Sequence, residues 1–97
     1  MAPDNDQIHA NLAEALQDAG DLTGAIGHLK SATRINAASA ELHNNLGVAL
    51  ASHGDVHDAV QEFEKALQIR PDYPDADKNL ALASALLAPS GANRTTR

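Results

Sequence analysis

The sequence predicts an all-α fold in which helix hairpins stack side by side. Three observations lead to it: the chain repeats itself every 34 residues, each repeat holds two apolar stripes at helical spacing, and a Gly-Asp pair separates the stripes. A fixed period of this size is typical of proteins built from stacked repeats. About two and a half copies are present, so we expect five antiparallel helices.

The internal repeat sets the domain boundaries. A third copy begins at Pro74, keeps Asn79, Leu80 and Ala83, and stops after one helix. We therefore assign repeat 1 to residues 6–39, repeat 2 to residues 40–73 and a C-terminal capping helix to residues 74–88. The two full repeats share ten identical pairs, which are His9/His43, Asn11/Asn45, Leu12/Leu46, Ala15/Ala49, Leu16/Leu50, Gly20/Gly54, Asp21/Asp55, Ala25/Ala59, Ala32/Ala66 and Ile35/Ile69.

The apolar stripes locate the helices. Spacings of three and four residues recur within each half-repeat, as one buried face of an α-helix requires. Breakers between the stripes set their limits. The predicted helices span residues 6–19, 22–36, 40–53, 56–69 and 74–87.

The turns carry their own signals. Gly20 and Gly54 can adopt the left-handed conformation that ends the first helix of each hairpin. Asp21 and Asp55 can accept hydrogen bonds from the free amides that open the second helix. Pro74 is tolerated in the first turn of the last helix, so these boundaries have local physical causes.

The two ends of the array are predicted to differ. The outer stripe of the last helix holds Asp77, Ala81 and Ser84, which suits a capping helix with a solvated face at which the array ends. No helix precedes the first one, so Ile8 and Ala15 should face solvent, which predicts either an upstream segment or contact with another subunit. Residues 1–5 and 89–97 lack periodicity and are predicted to be disordered.

The motif of repeat 2 resembles the tetratricopeptide repeat family. It reads His43-x2-Leu46-Gly47-x2-Leu50, then Ala59-x3-Phe63, Ala66 and Pro71, against the family pattern W-x2-L-G-x2-Y, A-x3-F, A and P. The resemblance covers residues 6–88, and the run from Asn44 to Gly47 is similar to the repeats of O-linked N-acetylglucosamine transferase. The residues that carry the family signature are Leu12, Ala13, Gly20, Ala25, Ala32, Leu46, Gly47, Gly54, Ala59, Phe63, Ala66 and Pro71.

The resemblance implies a right-handed superhelical stack whose first helices line a concave groove. Small residues should let the two helices of each hairpin approach closely, with Gly47 facing Ala59 and Ala13 facing Ala25. Proteins of this family serve as scaffolds that bind other proteins. The expected partner is therefore a protein or peptide held in the groove.

A column of amides at 34-residue spacing is the first candidate for binding. Asn11, Asn45 and Asn79 occupy equivalent positions, and we place Asn44 in the groove with them. An amide both donates and accepts hydrogen bonds, so such a row can hold the backbone of an extended peptide. The alternative is that these are repeat-consensus residues that stabilise the fold or face water.

Beside the amides run Glu14, Val48, Leu82 and Leu86. The three apolar residues predict an apolar floor in the C-terminal half of the groove, which would serve either as a peptide pocket or as a self-association patch.

One binding mode of the family is predicted to be absent. The chaperone-binding members grip a C-terminal carboxylate with Lys and Asn on the first helix, Asn on the third, and Lys and Arg or a similar donor on the fifth. The matching positions here are Ala10, Glu14, Asn45, Asp75 and Asn79, of which only Asn45 clearly fits. Like charges repel, so a chaperone tail should not bind through this clamp.

Composition excludes several other classes of partner. The chain has 13 acidic and 7 basic residues and a net charge of −6, which disfavours nucleic acid and anionic membranes. It has no Cys, and no apolar run is long enough to span a membrane or to form a signal peptide. We expect a cytoplasmic protein whose ligand is neutral, basic or apolar.

Neither a cofactor nor a catalytic centre is predicted. His9 and His43 are expected to replace aromatic residues, and His53 and His57 straddle a turn, so no metal site is assigned. The serines Ser31, Ser39, Ser52 and Ser84 lie in no recognisable motif, and no phosphate-binding loop is present.

The sequence therefore predicts a non-catalytic module for protein–protein interaction. The alternatives are a module that self-associates, giving a homodimer, and the repeat domain of a larger enzyme such as a glycosyltransferase.

Overall fold

A computed structural model describes residues 5–87, which form five α-helices. Residues 1–4 of the N-terminal segment predicted at 1–5, together with Ala88 and the predicted tail at 89–97, lie outside the described residues. Asn5 is described, and its Oδ1 caps α1 by accepting hydrogen bonds from the Gln7 and Ile8 amides. The all-α prediction is confirmed, and every predicted helix boundary lies within one residue of the observed one. The helices are α1 (Asp6–Asp18), α2 (Leu22–Ile35), α3 (Ala40–His53), α4 (Val56–Ile69) and α5 (Pro74–Leu87).

The hairpin turns follow the predicted glycine chemistry. Gly20 and Gly54 have φ angles of 88° and 96°, in the left-handed region that a residue without a β-carbon adopts at little cost. The Asp21 carboxylate accepts a hydrogen bond from the Gly24 amide at 2.9 Å, as predicted. The same prediction is wrong for Asp55, which makes no capping bond because its carboxylate lies 2.9 Å from Nδ1 of His53.

Alanine and leucine supply most of the core, and the chain has only one Phe, one Tyr and no Trp. One buried cluster draws on all five helices, and its largest fully buried side chains are Leu29 and Phe63. These two residues are equivalent across the repeat, so each hairpin has one large side chain at its centre. A smaller cluster of Ala40, Ala66, Tyr73 and Ala76 joins repeat 2 to α5.

Phe63 fills the space beside Gly47 in the second hairpin. A β-carbon placed on Gly47 would lie 2.7 Å from Cδ1 and 2.9 Å from Cζ of Phe63, so the atoms nearest to it belong to that ring and not to Ala59. The ring occupies the space that a side chain at residue 47 would need. Ala13, Ala25 and Ala59 are fully buried.

The first repeat has one exposed face. Leu12 is 44% exposed, whereas its equivalent Leu46 is 3% exposed, so the signature position at Leu12 is not part of the core. The reason is that α2 precedes and packs against α3, whereas no described helix precedes α1. Ile8 and Ala15 are also exposed, as predicted.

The outer stripe of α5, formed by Asp77, Ala81 and Ser84, is exposed as predicted. Within residues 5–87 no helix has the length and apolar character needed to cross a bilayer.

Candidate peptide-binding groove

Two neighbouring cavities lie along the first helices of the repeats. The first cavity, of about 340 Å³, is formed mainly by α1 and α3. The second cavity, of about 170 Å³, is formed by α3, α4 and α5. Val48 lines both, so we describe them together as the groove. The first is lined by Gln7, Ala10, Asn11, Glu14, Gln17, Leu29, Glu41, Asn45 and Val48, and the second by Val48, Ala51, Ser52, Phe63, Asn79, Leu82, Ala83 and Leu86.

The three equivalent asparagines divide between the two cavities. Asn11 and Asn45 line the first and are exposed, while Asn79 lines the second and is half-buried. Gln7 Nε2 donates to Asn11 Oδ1 at 3.1 Å, so the Asn11 amide nitrogen stays available. Asn45 makes no side-chain hydrogen bond within residues 5–87, so its amide can both donate to and accept from a ligand.

Asn44 does not lie in the groove with them, which corrects its placement from the sequence. It is only 7% exposed, and its Oδ1 accepts a hydrogen bond from Asn79 Nδ2 at 3.0 Å. Its side chain also lies close enough to the Tyr73 hydroxyl to lower the pKa of that hydroxyl slightly. Asn44 therefore positions Asn79 from beneath and is not itself presented to a ligand.

Tyr73 lies in the loop between α4 and α5, and its hydroxyl interacts with Asn44. Its side chain is buried, and the Arg70 guanidinium lies 4.4 Å from the ring centroid. Burial raises the pKa of the Tyr73 hydroxyl, and the negative charge of Glu41 raises it further. Both effects disfavour ionisation of the hydroxyl in the folded chain.

The first cavity is acidic. Glu14 from α1 and Glu41 from α3 line it, and none of the lining residues is basic. The ion pairs found within residues 5–87 are His43–Glu62, His53–Asp55 and Lys65–Glu62, so neither groove carboxylate is neutralised by one of them.

The second cavity is apolar and open. Leu82 and Leu86 are 61% and 65% exposed, and with Val48 they form the floor that the sequence predicts. Exposed leucines are common singly, but here they meet at one cavity.

The histidines lie away from the groove. His43 is buried as predicted, with Nδ1 2.7 Å from Oε1 of Glu62 and Nε2 3.0 Å from the Ala37 carbonyl oxygen. At the equivalent place in repeat 1, Nδ1 of His9 lies 3.0 Å from Nδ1 of His28. Among the described residues no three His, Asp or Glu side chains are grouped to hold a metal ion.

The sequence missed several lining residues, most importantly Gln7 and Glu41. The 34-residue spacing that located the asparagines also relates Gln7 to Glu41 and Glu41 to Asp75, so it could have identified these two lining residues. Each member of this column is the second residue of the first helix in its repeat, and the first two members border the first cavity.

Comparison with known proteins identifies the architecture. A family model described as tetratricopeptide repeat matches residues 3–74. A comparison with curated protein sequences found no significant match.

Three solved structures share the fold. The first tetratricopeptide domain of Spaghetti (RPAP3), bound to the HSP90 peptide SRMEEVD, matches with a TM-score of 0.84 at 22% identity over 89% of this chain and 68% of that one. The second such domain of human RPAP3, in complex with the HSP70 peptide SGPTIEEVD, matches with a TM-score of 0.79 at 22% identity over 84% and 68% of the two chains. MamA matches with a TM-score of 0.78 at 25% identity over 82% of this chain and 44% of its own.

Proposed function

Because the chain belongs to the tetratricopeptide repeat family, we propose that it is a non-catalytic module that binds an extended peptide in the groove. The fold is in general a scaffold for protein interaction, and two structural neighbours hold peptides. The observation that carries the proposal is the unpaired amide of Asn45 at an open cavity that continues past Val48 into an apolar one.

The polar groups suit a peptide backbone. An extended peptide exposes alternating N–H and C=O groups, and each must keep a hydrogen-bond partner when it leaves water. Asn45 supplies both a donor and an acceptor, and Asn11 supplies a free donor. Val48, Leu82 and Leu86 would then bury side chains of the ligand, which supplies the apolar part of the affinity.

We further propose that the acidic chaperone tails held by the two RPAP3 domains do not bind here. Those neighbours point toward such ligands, but at 22% identity the likeness concerns the fold. Glu14 lies in the first cavity where the family's clamp has Asn, and Asp75 stands where it has Lys. Fluorescence anisotropy with labelled SRMEEVD and SGPTIEEVD tests this, and saturable binding of either peptide would refute it.

The groove itself is tested by selecting a displayed library of random peptides, about 12 residues long, on the immobilised protein. We expect the native chain to enrich peptides that an Asn11→Ala, Asn45→Ala variant fails to hold. A Gln61→Ala, Gln68→Ala variant is the matched control, because it removes two exposed amides of α4 that do not line the groove. Equal enrichment on all three proteins would remove the groove from consideration.

Self-association is the second candidate. It is favoured by the exposed Ile8 and Leu12 on α1, which have no described helix to cover them. Light scattering behind a sizing column separates the two candidates, since a chain that stays monomeric at about tens of micromolar does not use this face to dimerise.

A further inference from the structure

We infer that the groove selects peptides that carry one Lys or Arg side chain for the first cavity and one apolar side chain for the second. This inference rests on the proposed function, because it requires a peptide in the groove. It adds the chemical class of the ligand, which follows from how charge and apolar surface are divided between the two cavities.

The first cavity is suited to a cation. Glu14 and Glu41 come from different helices, α1 and α3, and line the same space of about 340 Å³ with no basic residue among its walls. No ion pair within residues 5–87 uses either carboxylate. A Lys or Arg side chain that enters would therefore meet two uncompensated negative charges, whereas an acidic side chain would be repelled.

The uncharged polar residues beside the two carboxylates also favour a cationic side chain. Gln17 and Asn45 line the cavity beside the two carboxylates, and the oxygen of Asn45 accepts no hydrogen bond from residues 5–87. A guanidinium group carries five N–H donors and no acceptor, so it needs several oxygens arranged around it. Two carboxylates and a free amide oxygen can provide them, which favours Arg over Lys.

The second cavity is suited to an apolar side chain. Its floor is Val48, Leu82 and Leu86, and behind them lie Phe63 and Ala83, which are buried. Its volume of about 170 Å³ is similar to the ~150 Å³ of an engineered apolar cavity that admits benzene, so one Leu, Ile or Phe side chain fits.

Val48, which lines both cavities, limits the spacing between the basic and the apolar residue of the bound peptide. Because it lines both cavities, a single extended strand can reach both without leaving the surface. An extended chain advances ~3.3 Å per residue, so the basic and the apolar residue should be separated by only a few positions.

The experiment selects the random peptide library on four proteins in parallel. They are the native chain, a Glu14→Gln, Glu41→Gln variant, a Val48→Ser, Leu82→Ser variant, and a Glu64→Gln, Asp72→Asn variant. The last is a matched control, since it makes the same change of net charge at exposed carboxylates that do not line the groove. Circular dichroism and thermal unfolding verify that each variant keeps its helices.

We expect the native chain and the control to enrich peptides with a basic and an apolar residue at one preferred spacing. The Glu14→Gln, Glu41→Gln variant should lose the basic preference alone, and the Val48→Ser, Leu82→Ser variant the apolar preference alone. The most enriched peptide, labelled with fluorescein, should bind the Glu14→Gln, Glu41→Gln variant about tenfold more weakly, and its affinity for the native chain should fall as salt is raised.

Two other outcomes would overturn the inference, and they can be told apart. The Asn11→Ala, Asn45→Ala variant is tested beside these four proteins. Enriched peptides that it fails to hold but that show no basic preference would refute the ligand class and leave the proposed function standing. Peptides that bind equally to all variants would refute both.

Discussion

The ring of Phe63 in α4 lies against the α-carbon of Gly47 in α3, where a side chain at residue 47 would otherwise stand. The ring is fully buried in the main hydrophobic cluster, whose other members include Ala25, Leu29 and Leu46. The second hairpin can therefore close only because residue 47 has no β-carbon.

Gly47→Ala should destabilise the chain by about 1–3 kcal/mol, because the added methyl group would overlap the Phe63 ring and force it out of its packed position. Urea denaturation followed by circular dichroism measures this. Gly27→Ala is the control: residue 27 lies in α2 and is exposed, and a β-carbon added there would meet nothing within 4 Å beyond the backbone of its own helix. Alanine there should stabilise by about 0.4–1 kcal/mol, and equal effects at the two sites would contradict the packing argument.

The five helices could be predicted because their signals are local. Gly20, Gly54 and Pro74 act on the chain next to them, and the apolar stripes repeat within each helix. The hydrogen-bond partner of Asp55 could not be predicted in this way. Its carboxylate can bond either to the free amides of α4 or to the His53 ring, and the geometry of the folded turn selects the ring.

The candidate site was predictable only in part. The 34-residue column located Asn11, Asn45 and Asn79, which do border the two cavities. The burial of Asn44 depends on α5 and Tyr73, which are distant in sequence, so no local pattern distinguishes it from Asn45.

Adjacent asparagines should therefore respond differently to substitution. Asn44→Ala should cost about 1–3 kcal/mol of unfolding free energy, because it removes a buried amide and leaves the half-buried Asn79 amide without its partner. Asn45→Ala should change stability by less than about 0.5 kcal/mol, since that side chain is exposed and unpaired. Thermal and urea unfolding of both variants test this, and a larger loss at Asn45 would mean that the two roles are reversed.

Tyr73 gives a direct report on its own burial, because the chain has one Tyr and no Trp. Burial, and then the charge of Glu41, raise the pKa of its hydroxyl above the ordinary value of 10.0. The unfolded chain thus releases this proton at lower pH than the folded chain does. Its contribution to stability is complete below the unfolded pKa and is lost as pH rises through the folded one.

An ultraviolet absorbance titration should accordingly show a higher midpoint for the native chain than for the chain in denaturant. Tyr73→Phe should weaken the fall in stability above pH ~10, since it removes the titrating hydroxyl. Identical midpoints in the two states would contradict a raised pKa of Tyr73 in the folded chain.

The groove should accept an acidic tail once its charges are reversed. In an Ala10→Lys, Glu14→Asn, Asp75→Lys variant, two cations and one amide replace the residues that depart from the family's carboxylate clamp, and Asn45 is already in place. We keep Asn79 because Asn44 holds it. Opposite charges on ligand and groove then replace like ones, so SRMEEVD should bind at least about tenfold more tightly than to the native chain in an anisotropy titration.

An Asp58→Lys, Glu64→Lys variant makes the same total change of charge on α4, outside the groove, and should show little gain. A similar gain in both would mean that net charge alone attracts the peptide, whereas a gain confined to the first variant would locate the ligand between α1 and α5.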